Sequence, residues 1–156
     1  MSKGKKGKTN IFQDAVKNTP EIANCYQVGL RGLSPYSQKV QLGDTSKCSG
    51  SVDIDACTAA KYPQSNRWDY VLGYNDKAYF VEVHTANTGE VSTVLRKLQW
   101  LKDWLNAQAP ALNKIKADKN PFVWVQTNGF HILKNSKQYR EAAQAGLKPI
   151  AKLVLE

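Results

Sequence analysis

Three side chains able to hold a divalent cation lie close together in residues 67–84: Asp69, Glu82 and His84. Asp69 opens an apolar, aromatic-rich run. Glu82 and His84 sit two residues apart near the end of the next one. Side chains alternate across a strand, so Glu82 and His84 project from the same face. Carboxylate oxygens with an imidazole beside them suit magnesium or manganese. The chain's formal charge is +9, from 22 Lys and Arg against 13 Asp and Glu. Anion-binding metal chemistry in a basic chain points to phosphodiester substrates.

Elements must bring these residues together. Tyr74-Asn75-Asp76-Lys77 places polar turn formers between the two apolar runs, which predicts a hairpin of strands near 68–73 and 78–85. On the second strand, Tyr79, Val81 and Val83 share one face, and Phe80 shares the other with Glu82 and His84. Residues 90–107 carry Val91, Val94, Leu95, Leu98, Leu101 and Leu105 at spacings of three and four, the pattern of an amphipathic helix. Trp100 and Trp104 widen its apolar face. A buried-type strand follows at 122–127. The helix between is long enough for a crossover, which would make the two flanking strands parallel.

Elsewhere the pattern predicts helical stretches between 11 and 30, with Thr19 as N-cap before Pro20. It predicts short strands near 39–42 and 51–56. The run 111–120 is polar and basic, 130–133 continues as hairpin mate of the 122–127 strand, and His131 packs there. A helix over 136–145 stops at Gly146, and a last edge strand covers 150–155. The order implies one hairpin-rich mixed sheet flanked by helices. Asp53 and Asp55 read as a polar strand edge.

At 156 residues the chain suits a single domain with a real core. Residues 1–10 read as a flexible, basic, glycine-interleaved arm and 11–156 as a single globular body. The arm holds Lys3, Lys5, Lys6 and Lys8; without these four lysines the charge is still +5. Such an arm adds nonspecific attraction to polyanions, so nucleic acid is the expected partner. No apolar run reaches the ~18 residues that cross a bilayer, so no membrane role is expected. No apolar segment follows the basic start, so the expected location is cytoplasmic. The three cysteines, Cys25, Cys48 and Cys57, are odd in number, which argues against a disulfide framework.

Asp69 followed by Glu82-Val83-His84, set in a strand–strand–helix–strand context, resembles the PD-(D/E)XK nuclease superfamily. His84 stands where that motif has Lys, and Trp68 where it has Pro. The resemblance spans roughly residues 11–128. It implies an α/β fold of the mixed α+β kind, with a restriction-endonuclease-like core and a central mixed β-sheet flanked by helices. It further implies a metal-dependent nuclease hydrolysing DNA or RNA. Asp69, Glu82 and a main-chain carbonyl such as that of Val83 would hold Mg or Mn, with His84 and Glu21 as further metal ligands. His84 would orient or deprotonate the attacking water. Lys97, sending its ammonium in from the following helix, or Arg96 would face the phosphate, and Gln126 would line the cleft. The loss of the motif Lys suits a second reading, a catalytically degenerate nucleic-acid-binding module. A third is a protein-interaction module contacting its partner through Trp68, Trp100 and Trp104.

Overall fold

A computed structural model of the chain describes residues 9–156. Lys3, Lys5, Lys6 and Lys8 lie outside the described residues. Helix α1 (Ile11–Lys17) starts at Asn10, whose side chain accepts from the Gln13 amide. Strands β1 (Val40–Leu42) and β2 (Cys48–Asp53) lead into the short helix α2 (Ile54–Thr58). The hairpin is β3 (Tyr70–Tyr74) and β4 (Lys77–Val83), followed by β5 (Ala86–Asn87). Helices α3 (Val91–Ala107) and α4 (Pro110–Lys114) precede β6 (Phe122–Val125). Strand β7 (Phe130–His131), helix α5 (Lys137–Gln144) and β8 (Leu153–Leu155) complete the chain.

The protein is α+β. Its main sheet has four strands in the order β2-β3-β4-β6, and helices flank it. Strands β2, β3 and β4 form an antiparallel meander; β6 joins β4 in parallel, as the helical crossover requires. The hairpin turns on Asn75 and Asp76, both at positive φ (52° and 63°). Short polar side chains tolerate that backbone, and its twist matches the paired strands.

Each sheet face carries its own core. Val71, Phe80 and Trp124 pack with Phe12 and Val16 of α1 and with Val94, Leu98 and Leu101 of α3. Leu72, Val81, Val83, Val123 and Val125 pack instead with Val40, Leu153 and Leu155 of the small parallel β1–β8 ladder. A fully buried aliphatic or Phe side chain of this kind contributes roughly 1.5–3 kcal/mol. Gly73 lets α1 approach: a Cβ there would sit 2.4 Å from Phe12 Cγ.

Several local expectations are corrected. Residues 20–22 form only one 3-10 turn, and the Thr19 hydroxyl donates to the Ala15 carbonyl rather than capping it. Residues 130–131 do not return as a hairpin mate of β6; they pair in parallel with β5, and His131 is exposed. Helix α4, which starts at Pro110, extends to Lys114 and so into the 111–120 run read only as polar and basic. Cys25 and Cys57 form a disulfide with Cα atoms 6.4 Å apart, leaving Cys48 as the free thiol. That pairing depends on α2 packing beside the 20–22 turn, a contact that cysteine spacing does not encode. Trp68 and Trp104 are buried, which removes them from any partner-binding surface. The expected strand end at Asp53 and Asp55 is a helix start. Asp53 caps α2 by accepting from the Ala56 amide, and Asp55 pairs with Arg67 at 2.8 Å.

Candidate functional site

The β3–β4 ladder pairs Tyr70 with Val81 and then gives way to side chains. The next amide on each strand is taken by the opposing carboxylate. Asp69 N–H donates to Glu82 Oε1 at 3.2 Å, and Val83 N–H donates to Asp69 Oδ2 at 3.0 Å. Both carboxyl groups are thereby fixed at the sheet's end, on the face that α3 covers.

Lys97 on α3 completes the cluster. Its Nζ lies 3.1 Å from Asp69 Oδ1 and also bonds Glu82 Oε2. Neighbouring Val94, Leu98 and Leu101 bury the helix against the sheet, which aims position 97 at the strand ends. His84 Nδ1 stands 3.3 Å from Glu82 Oε2, and its Nε2 lies 2.6 Å from Glu90 Oε1. Glu90 sits at the N-cap of α3, where the helix dipole favours an acid. The Trp124 indole donates to the His84 carbonyl at 3.0 Å and fixes the strand end.

Exposure is graded across the cluster. The Glu82 side chain is fully buried; Lys97, Asp69 and His84 are 13%, 18% and 22% exposed, and Glu90 is 40% exposed. Solvent therefore reaches the cluster through Asp69, His84 and Glu90. Burial pushes the Glu82 and Asp69 carboxyls above the usual carboxylate range, against the opposing pull of His84 and Lys97 on Glu82 and of Lys97 on Asp69. Burial draws Lys97 down, but the two carboxylates outweigh it and hold the ammonium charged. The hydrogen bond to Glu82 raises His84, burial opposes it, and Glu90 adds to the rise. A histidine held in its charged form is a poor base and a good donor.

Among the described residues, no group of three or more His, Cys, Asp or Glu side chains is placed to hold a metal ion. Asp69 and Glu82 do direct one oxygen each at a single cation, the Lys97 ammonium. Two hard carboxylates fit magnesium, which takes one or two of them and completes its shell with water and phosphate oxygens. His84 spends both ring nitrogens on carboxylates.

Glu21 lies in a different setting. Its carboxylate accepts from Tyr62 Oη at 2.9 Å and Trp104 Nε1 at 2.8 Å, with Lys61 Nζ at 3.4 Å. Arg96 is exposed and reaches only Thr93 Oγ1, at 3.5 Å. The Gln126 side chain accepts from the Gly129 amide in its own turn. Glu90 was not singled out from the sequence. Its signal was an acid at a helix start, six residues after a histidine that ends a strand.

Comparison with protein-family models, curated proteins and solved structures returns no match for this chain.

Proposed function

We propose that the protein is a divalent-metal-dependent, nuclease-like hydrolase acting on phosphodiester bonds of DNA or RNA, built on a restriction-endonuclease-like core. The observation that carries this reading is the meeting of Asp69, Glu82 and Lys97: two acids from adjacent strand ends and one ammonium. The sheet order and the parallel β4–β6 pair joined through α3 support it. On this reading the ammonium that the motif places at position 84 comes from position 97 instead.

Asp69, Glu82 and the Val83 main-chain carbonyl would hold Mg or Mn, which supplies Lewis-acid charge against phosphate oxygens when bound. Lys97 neutralises charge developing on the phosphate. Glu90 holds one His84 ring nitrogen and Glu82 the other, so His84 steadies the Glu82 carboxylate beside the metal and orients it rather than abstracting a proton. The +9 charge, the lysines at 3, 5, 6 and 8, and Arg96 draw the polyanion in. A cytoplasmic setting belongs to the same reading; among the described residues no helix is long and apolar enough to cross a membrane. The Cys25–Cys57 bond argues the other way, since disulfides persist mainly in oxidising compartments.

One observation favours the second reading, a degenerate binding module: the carboxylates are neutralised by an internal ammonium and an imidazole. A cleavage assay separates the two. Wild type and Glu82→Ala are incubated with mixed DNA and RNA in manganese, magnesium or EDTA. The expected result is cutting that needs metal and disappears in Glu82→Ala. Binding without cutting in any metal would replace the nuclease with the degenerate module.

A further inference from the structure

Just beyond His84 the chain builds a second small ladder, in which β5 pairs with β7: Ala86 with Phe130 and Asn87 with His131. Ala86 follows His84 by two positions, at most about 7 Å of chain. Thr88 ties the two segments. Its hydroxyl donates to the His131 carbonyl at 3.4 Å and accepts from the Leu133 amide at 2.9 Å. Glu90, which holds His84, follows two residues later. The ladder is therefore anchored to the open side of the candidate site, at the C-terminal ends of parallel β4 and β6, where ligands of such sheets commonly bind.

This ladder presents apolar surface to water. Phe130 is 59% exposed and Leu133 is 64% exposed, and Phe130 is the large aromatic ring most open to solvent among the described residues. The segment that carries it is basic: residues 126–140 contain Lys134, Lys137 and Arg140 and no Asp or Glu, with Glu141 next in the chain and 3.9 Å from Lys137. An exposed aromatic ring set in a predominantly basic segment matches the chemistry of an unpaired nucleobase with its phosphates. Ring stacking needs an unstacked base face, which a closed duplex does not offer.

We propose that Phe130 is a stacking platform for an unpaired base, and that the 126–140 segment makes the protein a binder of single-stranded nucleic acid at the mouth of the Asp69–Glu82 site. The inference rests on the nucleic-acid reading above and names its substrate class. Leu133 flanks the stacked base. Lys134, Lys137 and Arg140 contact the phosphates on either side.

The test measures binding in EDTA at low salt, so that it does not depend on cleavage. A labelled single-stranded oligonucleotide and its duplex are titrated with wild type, Phe130→Ala and Phe130→Trp. Wild type is expected to hold the single strand more tightly. Phe130→Ala should weaken single-strand binding about 5- to 100-fold and leave duplex binding unchanged. Phe130→Trp should restore it. Equal affinity for both substrates, an equal loss on both, or an alanine variant that binds like wild type would overturn the proposal, as would no binding at all. Matching melting temperatures confirm that the variants fold, which the exposure of position 130 favours. If single-strand preference persists while metal-dependent cutting is absent, the nuclease reading falls and the stacking platform stands.

Discussion

Glu82 and Glu21 are both largely shielded from water, yet their environments move them in opposite directions. Glu82 shares one ammonium with Asp69 and an imidazole with Glu90, and burial drives its carboxyl up. Glu21 also suffers burial, but donors from Trp104, Tyr62 and Lys61 outweigh it and hold its carboxyl down. Tyr62 answers by rising to about 12, through burial and the Glu21 bond. A carboxylate surrounded by dedicated donors ties elements together: Glu21 joins the 20–22 turn, the Tyr62 loop and α3. Acids competing for too few cations retain affinity for another cation. The contrast separates a structural acid from a candidate reactive one without reference to any motif.

The sharpest way to break the contrast is to remove the shared ammonium. Lys97→Met should leave two neighbouring, poorly hydrated carboxylates and lower stability by about 3–5 kcal/mol, read by denaturant unfolding. A loss below about 1 kcal/mol would mean the pair is well solvated and the competition is not real. Glu21→Gln should cost less, about 1–3 kcal/mol, because it weakens bonds from buried donors without isolating a like-charged pair. It should leave metal-dependent cutting intact, and loss of cutting with retained folding would move Glu21 into the site. The Glu21 region has a covalent brace in addition, with Cys57 Sγ 3.5 Å from the Glu21 carbonyl. Replacing Cys25 and Cys57 together by Ala should cost about 2–4 kcal/mol; wild type insensitive to reductant in a thermal melt would contradict it.

The smallest effect is in pH dependence, and its sign is the informative part. Glu21 has a lowered folded pKa, so its stabilisation is present above its unfolded value of 4.5 and is lost as pH falls through the folded value. Glu82 has a raised folded pKa, so stability through it falls as pH rises from 4.5 through the folded value. Stability differences between wild type and each Glu→Gln variant should therefore slope in opposite directions with pH. Slopes of the same sign would erase the distinction between the two acids.

Alternation and helical spacing made much of the frame legible. The β3–β4 hairpin, the face shared by Phe80 and Glu82, the α3 stripe and the parallel placement of β6 all follow from local periodicity and connection length. That Asp69 comes beside Glu82 was legible too, because a hairpin turning at 74–77 brings the start of one strand next to the end of the other; the register itself was not. Glu90 was not legible, since an acid at a helix N-terminus has a sufficient local explanation. The separation of Glu21 from the Asp69–Glu82 pair was equally hidden, because it depends on Trp104 and Tyr62 arriving from elements distant in the chain.

The amino-acid order alone thus determined which residues face the same way along each strand and helix, because that is set by backbone geometry within a few residues. Only the tertiary structure decided which cation serves the two acids, which cysteines join, and that Phe130 is left open to water. Those outcomes depend on how α3, α2 and the β5–β7 ladder pack across the sheet, and packing distances between remote segments are not encoded in local spacing.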